Sequence, residues 1–162
     1  MTDLKVLLLG PPAIQHGDGT MLSIQRRVPR AVLMYLAFQE RMIMRTELAH
    51  LLWPDAEETL GRRRLREILT RLRAALPDAD LLVTKNDQVG LDRERVYVDA
   101  IDFNSLVQQI NQDRDSKPRH RVLSRDEYQR ASRAIEIWRS PKFMAGFSLP
   151  DTDAFDRWFS RT

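Results

Sequence analysis

The sequence predicts an α+β fold, and three observations carry that prediction. Short apolar stretches closed by glycine, proline or asparagine-aspartate turns stand at both ends of the first hundred residues. Between them lie three segments whose apolar residues recur at i, i+3 and i+4, the spacing of one helical face. Beyond residue 100 the helical spacing continues without a further strand pattern. With 162 residues the chain has room for one domain, or for one domain and part of a second. We expect a division into 1–100 and 101–162, the latter a truncated helical unit.

The elements follow in order. Residues 4–9 of "DLKVLLLGPPAI" read as a strand, stopped by Gly10, Pro11 and Pro12. "IQHGDGTMLSI" reads as a hairpin: Ile14 on one arm, a turn over 16–20, then Leu22 and Ile24 at alternate positions. Short antiparallel strands should therefore open the chain. Leu33, Leu36 and Ala37 share a face, which places a first helix at about 29–39 with Pro29 in its first turn. Residues 41–45 are a short link with room for a few strand residues. Leu48, Leu51 and Leu52 mark a second, short helix closed by Pro54, and His50 points off its apolar face as a surface histidine.

A longer helix is expected at about 57–76. Asp55 and Glu58 are spaced as a capping box, and Pro77 ends the run. Gly61, Leu65, Ile68, Leu69, Leu72 and Leu76 fall within roughly a third of the helical wheel. Two helices on a tight link at 53–56, the second longer, outline a helix-turn-helix. A second hairpin follows, with arms at 82–84 and 89–91 and a turn at 85–88, in the position of a wing. Val96 and Val98 suggest one more short strand. Phe103, Leu106, Val107 and Ile110 give another helix, and the polar stretch 111–121, with Pro118, reads as a loop. Ser124 and Glu127 make a second capping box, and Leu123 and Tyr128 are spaced as a hydrophobic staple. Tyr128, Ala131, Ile135 and Trp138 are expected to form a buried stripe. A last helix with Phe155, Trp158 and Phe159 stops after barely two turns, its aromatics in want of partners.

Composition narrows the function. The net charge is only +3, with 15 basic and 14 acidic side chains in residues 1–100, but Arg62 to Arg73 hold six basic and one acidic. Arginines outnumber lysines 22 to 4, and the planar guanidinium suits phosphate and guanine edges better than an ammonium does. There is no cysteine, which removes disulfides and thiolate zinc sites, and His16, His50 and His120 are isolated. No base–nucleophile pair or glycine-rich phosphate loop is present, and the acidic side chains Asp99, Asp102, Asp151, Asp153 and Asp156 lie at a junction and a helix start. We expect no enzyme activity, no cofactor and no metal. No apolar run approaches about 18 residues, and "LKVLLLG" lacks the flanks of a signal peptide, so a cytoplasmic protein with no membrane partner is expected.

On the 57–76 helix, Thr59, Arg63, Arg66, Glu67, Thr70 and Ala74 lie opposite the apolar stripe. Arg62 and Arg73 flank the stripe on one side, Arg64 and Arg71 on the other. A solvated basic surface would explain this pattern, with Glu58–Arg62 and Glu67–Arg71 as i, i+4 pairs of about 0.3–0.5 kcal/mol each. A nucleic-acid surface explains it as well. Small and polar residues between the central arginines let a groove floor approach, and the flanking arginines suit phosphates on both walls. A hairpin bearing Lys85 follows directly.

Several stretches together resemble the SARP/AfsR-type bacterial transcriptional activators. They are "VLLLGPPAI", "PRAVLMYLAF", "RTELAHLLWPD", "RRRLREILTRLRAALP", "VGLD…VYVDAIDF" and "FMAGFSLPDTDAFDRW". The resemblance implies an OmpR/PhoB-like winged helix-turn-helix: an N-terminal antiparallel sheet, three helices and a C-terminal hairpin wing. It also implies that residues 101–162 begin a bacterial transcriptional activator domain of helical-hairpin repeats. Met44 departs from the small polar cap expected before Arg45, and the charged 111–121 loop is long.

The resemblance implies sequence-specific binding of double-stranded DNA for transcription regulation, with helix 57–76 in the major groove and hairpin 82–91 on the backbone or minor groove. Base contacts are expected from Arg63, Arg66 and Thr70. Phosphate contacts are expected from Arg62, Arg64, Arg71, Arg73, Lys85, Thr46 and Thr59. Glu67 either orients Arg63 and Arg71 or accepts from a cytosine amino group. Side-by-side dimers on direct repeats are a family habit. The competing expectation is a protein-interaction module, in which the winged helix docks a partner such as RNA polymerase.

Overall fold

A computed structural model describes residues 1–116, 122–150 and 152–160. In chain order the elements are β1 (Leu4–Leu7), β2 (Ala13–His16), α1 (Arg27–Phe38), β3 (Ile43–Met44), α2 (Arg45–Leu52), α3 (Glu58–Ala75), β4 (Leu82–Lys85), β5 (Gln88–Leu91), β6 (Val96–Val98), α4 (Asp99–Asp115), α5 (Arg125–Ile137) and α6 (Asp153–Ser160), with a 3-10 turn at Ala79–Leu81. The α+β class is as expected.

The first sheet corrects the expectation of a purely antiparallel one. Its order is β2–β1–β6; β2 runs antiparallel to β1, but β6 runs parallel to it. A parallel neighbour requires a long crossover, and here the crossover carries α1, α2 and α3. β1 also ends at Leu7 rather than residue 9. The Asp99 carboxylate accepts from Leu8 N–H at 2.6 Å and from Leu9 N–H at 3.1 Å. A side chain thus replaces the strand partner where β6 gives way to α4. The hairpin expected over 14–24 survives as one bridge, Gln15 to Met21, with His16 N–H bonded to Thr20 O at 2.8 Å. Leu22 and Ile24 still pack on the core; Leu22 N–H closes the bridge on Ile14 O at 2.8 Å, and beyond it the chain leaves the sheet.

α1 buries Pro29 and every residue from Ala31 to Ala37, so it forms the axis of the core. The Arg93 guanidinium closes its C-terminus, donating to the Leu36 and Ala37 carbonyls at 2.9 and 2.6 Å. α2 starts after Met44 without a side-chain cap; Arg45 N–H donates instead to the Asp87 carbonyl at 3.0 Å. The Asp55–Glu58 capping box does not form. Glu57 takes the N-cap position of α3 without a side-chain cap bond, which leaves Asp55 two residues too early. The apolar stripe is as read: Gly61, Leu65, Ile68, Leu69 and Leu72 of α3 are buried, and so is Leu76 just beyond it.

β4 and β5 form a hairpin in the register Leu82–Leu91 to Lys85–Gln88, and β3 pairs with the other edge of β5. The turn is two residues rather than the four expected. Asn86 and Asp87 have φ of 49° and 60°, the left-handed pair that matches the twist of a tight hairpin.

After β6 three expectations change. α4 continues through Asp115, so the loop expected at 111–121 starts later, and 117–121 lie outside the described residues. α5 has its capping box: the Ser124 hydroxyl accepts from Glu127 N–H at 3.3 Å and the Glu127 carboxylate from Ser124 N–H at 2.7 Å. We expect Ser124→Ala to cost about 1 kcal/mol, read as a lower denaturant midpoint. The face α5 buries, however, is not the apolar one. Glu127 and Ala134 are buried, while Tyr128, Ile135 and Trp138 are 65%, 74% and 48% exposed. The expected buried stripe is therefore corrected, and Leu123, 60% exposed, forms no buried staple with Tyr128. Polar pairing explains the reversal: Arg130 with Asp113, and Arg133 with Asp102 at 2.8 Å, turn the charged side of α5 toward α4.

The last aromatics do not want for partners. Phe155 is fully buried, and Trp158 lies edge-on to Tyr35 at 4.7 Å and to Phe38 at 5.9 Å. The segment before α6 is stitched to the end of β1. Gly10 N–H bonds to Lys142 O at 3.0 Å, Met144 N–H to Leu8 O at 2.7 Å and Ala145 N–H to Gly10 O at 2.9 Å. Met144, Leu149 and Phe155 consequently belong to the same core as α1 and both sheets.

Candidate nucleic-acid interface

The burial of one side of α3 decides what the other side can do. With the leucine stripe inward, Thr59, Arg63, Arg66, Glu67, Thr70, Arg71 and Ala74 are all exposed. Among the described residues, the guanidiniums of Arg63, Arg66 and Arg71 make no ion pair or hydrogen bond with the protein. Of the two i, i+4 pairs expected, Glu58–Arg62 is present at 4.0 Å, and Glu67–Arg71 is absent among the described residues. The solvated-surface reading relied on such pairs, so it loses part of its support.

The flanking arginines are engaged with neighbouring elements. Arg62 donates both terminal nitrogens to the Asp87 carboxylate, at 2.9 and 2.8 Å, across to the β4–β5 turn. The doubly accepting carboxylate raises the Arg62 pKa further above its already high value. Arg73 donates to the Thr84 hydroxyl of β4 at 3.2 Å. Both residues therefore face the hairpin, from the one flank of the stripe that they share. Arg64, on the other flank, lies 5.8 Å from the Trp53 ring centre and lines a hollow shared with Arg157 of α6. Thr70 donates its hydroxyl proton to the Arg66 carbonyl at 2.9 Å, which leaves its oxygen free only to accept.

The remaining residues read from the sequence sit close by in the fold. Thr46 stands in the first turn of α2, half-buried, beside His50 and Glu58 in a groove between α2 and α3. Lys85 is exposed at the tip of β4, in ladder contact with Gln88. Thr59 donates its hydroxyl to the Glu57 carboxylate at 3.0 Å. Sequence reasoning missed Asp87, Thr84, Trp53 and Arg157 as neighbours of the arginine row. "KNDQ" carried a signal for a turn, but nothing in periodicity links position 87 to position 62.

Among the described residues no helix is long and apolar enough to cross a membrane, and no group of three or more histidines and carboxylates could hold a metal ion. No family model matches the chain, and no curated protein matches it. A solved structure does: Mycobacterium tuberculosis EmbR in complex with a low-affinity phosphopeptide is similar with a TM-score of 0.70 at 19% identity, covering 99% of this chain and 42% of that one. The chain thus spans less than half the length of EmbR, and what the two share at this identity is the fold.

Proposed function

We propose that the chain is a sequence-specific double-stranded DNA-binding module of a transcription regulator, with α2 and α3 as its helix-turn-helix and the β4–β5 hairpin as its wing. One observation carries this reading: α3 presents Arg63, Arg66 and Arg71 unpaired on an exposed ridge, with Thr70 and Ala74 leaving space between them. In the major groove Arg63 and Arg66 would each offer a bidentate fork to guanine O6 and N7, and Thr70 would accept from a base amino group. Arg64, Arg71, Arg73, Lys85 and the α2 N-terminus at Thr46 would hold phosphates, and Thr59 would join them on turning its hydroxyl proton away from Glu57. Residues 1–100 would read the DNA, and 101–162 would begin the helical activator domain. The fold shared with EmbR is in keeping with the SARP/AfsR-type resemblance of the sequence.

Fluorescence anisotropy on a duplex recovered by in vitro selection, and on random duplex, tests the reading. Binding should weaken steeply between 50 and 200 mM salt, as counterion release requires. We expect Arg71→Ala and Arg73→Ala each to weaken all duplexes alike and to flatten the salt slope by about 1. A chain that docks only protein would show no duplex binding at low salt. The exposed Tyr128, Ile135 and Trp138 favour that second reading, and absence of duplex binding would decide for it.

A further inference from the structure

We propose that Asp87 is a specificity-determining residue of the interface: it withholds Arg62 from the phosphate backbone and uses it as a strut that fixes the wing against α3. The inference rests on the duplex-binding reading above.

Three bonds meet at this one residue. Its carboxylate receives both terminal nitrogens of Arg62, and its carbonyl receives Arg45 N–H from the start of α2. The turn tip is thereby tied at once to both helices of the helix-turn-helix. A fork held at 2.8 and 2.9 Å by two carboxylate oxygens has its terminal edge committed and its charge neutralised by Asp87, which leaves only the side edge at Nε for a phosphate. Glu58 stands 4.0 Å from Nη1 of the same guanidinium. Arg62 thus has two carboxylates near it, while Arg63 and Arg66, next to it along the helix, are unpaired.

The exchange that would free Arg62 is unfavourable for electrostatic reasons. If Arg62 swung to a phosphate, Asp87 would be left uncompensated at the tip of a wing that approaches the DNA backbone. The pair therefore enters the complex as a neutral unit. It adds nothing to the sequence-independent attraction that drives non-specific binding, while it holds the angle between the base-reading helix and the wing. Losing the carboxylate converts a strut into a mobile phosphate contact, which raises affinity for every duplex and loosens the register that separates one from another.

A double-mutant cycle tests this, read in the slope of log K against log salt on random duplex and in the affinity ratio of selected to random duplex. Asp87→Gly removes the carboxylate and keeps the turn, because φ of 60° suits glycine; Asp87→Asn, also tolerant of that φ, is the second variant. In either background the slope should steepen by about 1 and the affinity ratio should fall several-fold. Arg62→Ala should flatten the slope by about 1 in the Asp87→Gly background and by clearly less in the wild type. Additive slopes, with Arg62→Ala acting equally in both backgrounds, would show two independent surface charges and overturn the proposal. An unchanged affinity ratio in both Asp87 variants would overturn it too. Failure of the wild-type chain to bind duplex in the same series would instead remove the reading beneath it, and the two failures are told apart by that arm alone.

Discussion

Arg63→Ala and Arg66→Ala should each cost about 1–3 kcal/mol on the selected duplex, a loss of roughly 5- to 150-fold in affinity, and each should relax base preference at one position. Combined, they should reduce the selected duplex to the affinity of random DNA. Both side chains are exposed and unpaired with the protein, so the melting temperature should stay nearly constant while binding collapses. That separation is what gives the experiment its force. Selection repeated with each single variant would show which position loses its preference. Full affinity in the double variant would mean that α3 is not the base-reading helix.

Phe155→Ala should destabilise the whole described fold by about 3–5 kcal/mol. Phe155 is fully buried: its ring lies 5.4 Å from Trp158 and 6.4 Å from Phe147, and Trp158 in turn rests on Tyr35 of α1. Urea unfolding followed by tryptophan fluorescence and by far-ultraviolet circular dichroism would read it. A single transition that moves to lower urea with both probes means that residues 143–160 and the three helices of the N-terminal half share one cooperative core. Two transitions, of which only the fluorescence one moves, would mean that the division at residue 100 separates units of independent stability.

The core face of α3 and its exposed arginines were legible because one long helix carries both signals. Six apolar positions at a helical period leave a single solution for which side goes inward, and the central arginines must then face out. Three other features resisted, each for a different reason. An apolar stripe on α5 shows that a face exists but not that anything covers it, and two arginine–carboxylate pairs with α4 settled the orientation the other way. Alternation at Val96 and Val98 announces a strand without naming its neighbour, and the partner is β1, some ninety residues earlier, in parallel register. The Arg62–Asp87 pair joins a helix to a turn across 25 positions, where no periodicity operates.

The seam where Lys142, Met144 and Ala145 exchange backbone bonds with Leu8 and Gly10 has a mechanical meaning. It is a weld and not a hinge. Torque applied to α5 would load these three backbone bonds and, through the β1 end, the core that α1 and α3 share. A partner gripping the exposed Tyr128 and Ile135, beside a Trp138 that rests edge-on against Phe103 of α4, would hold the chain by a handle, and the angle of that grip would set the angle at which the arginine row meets a groove.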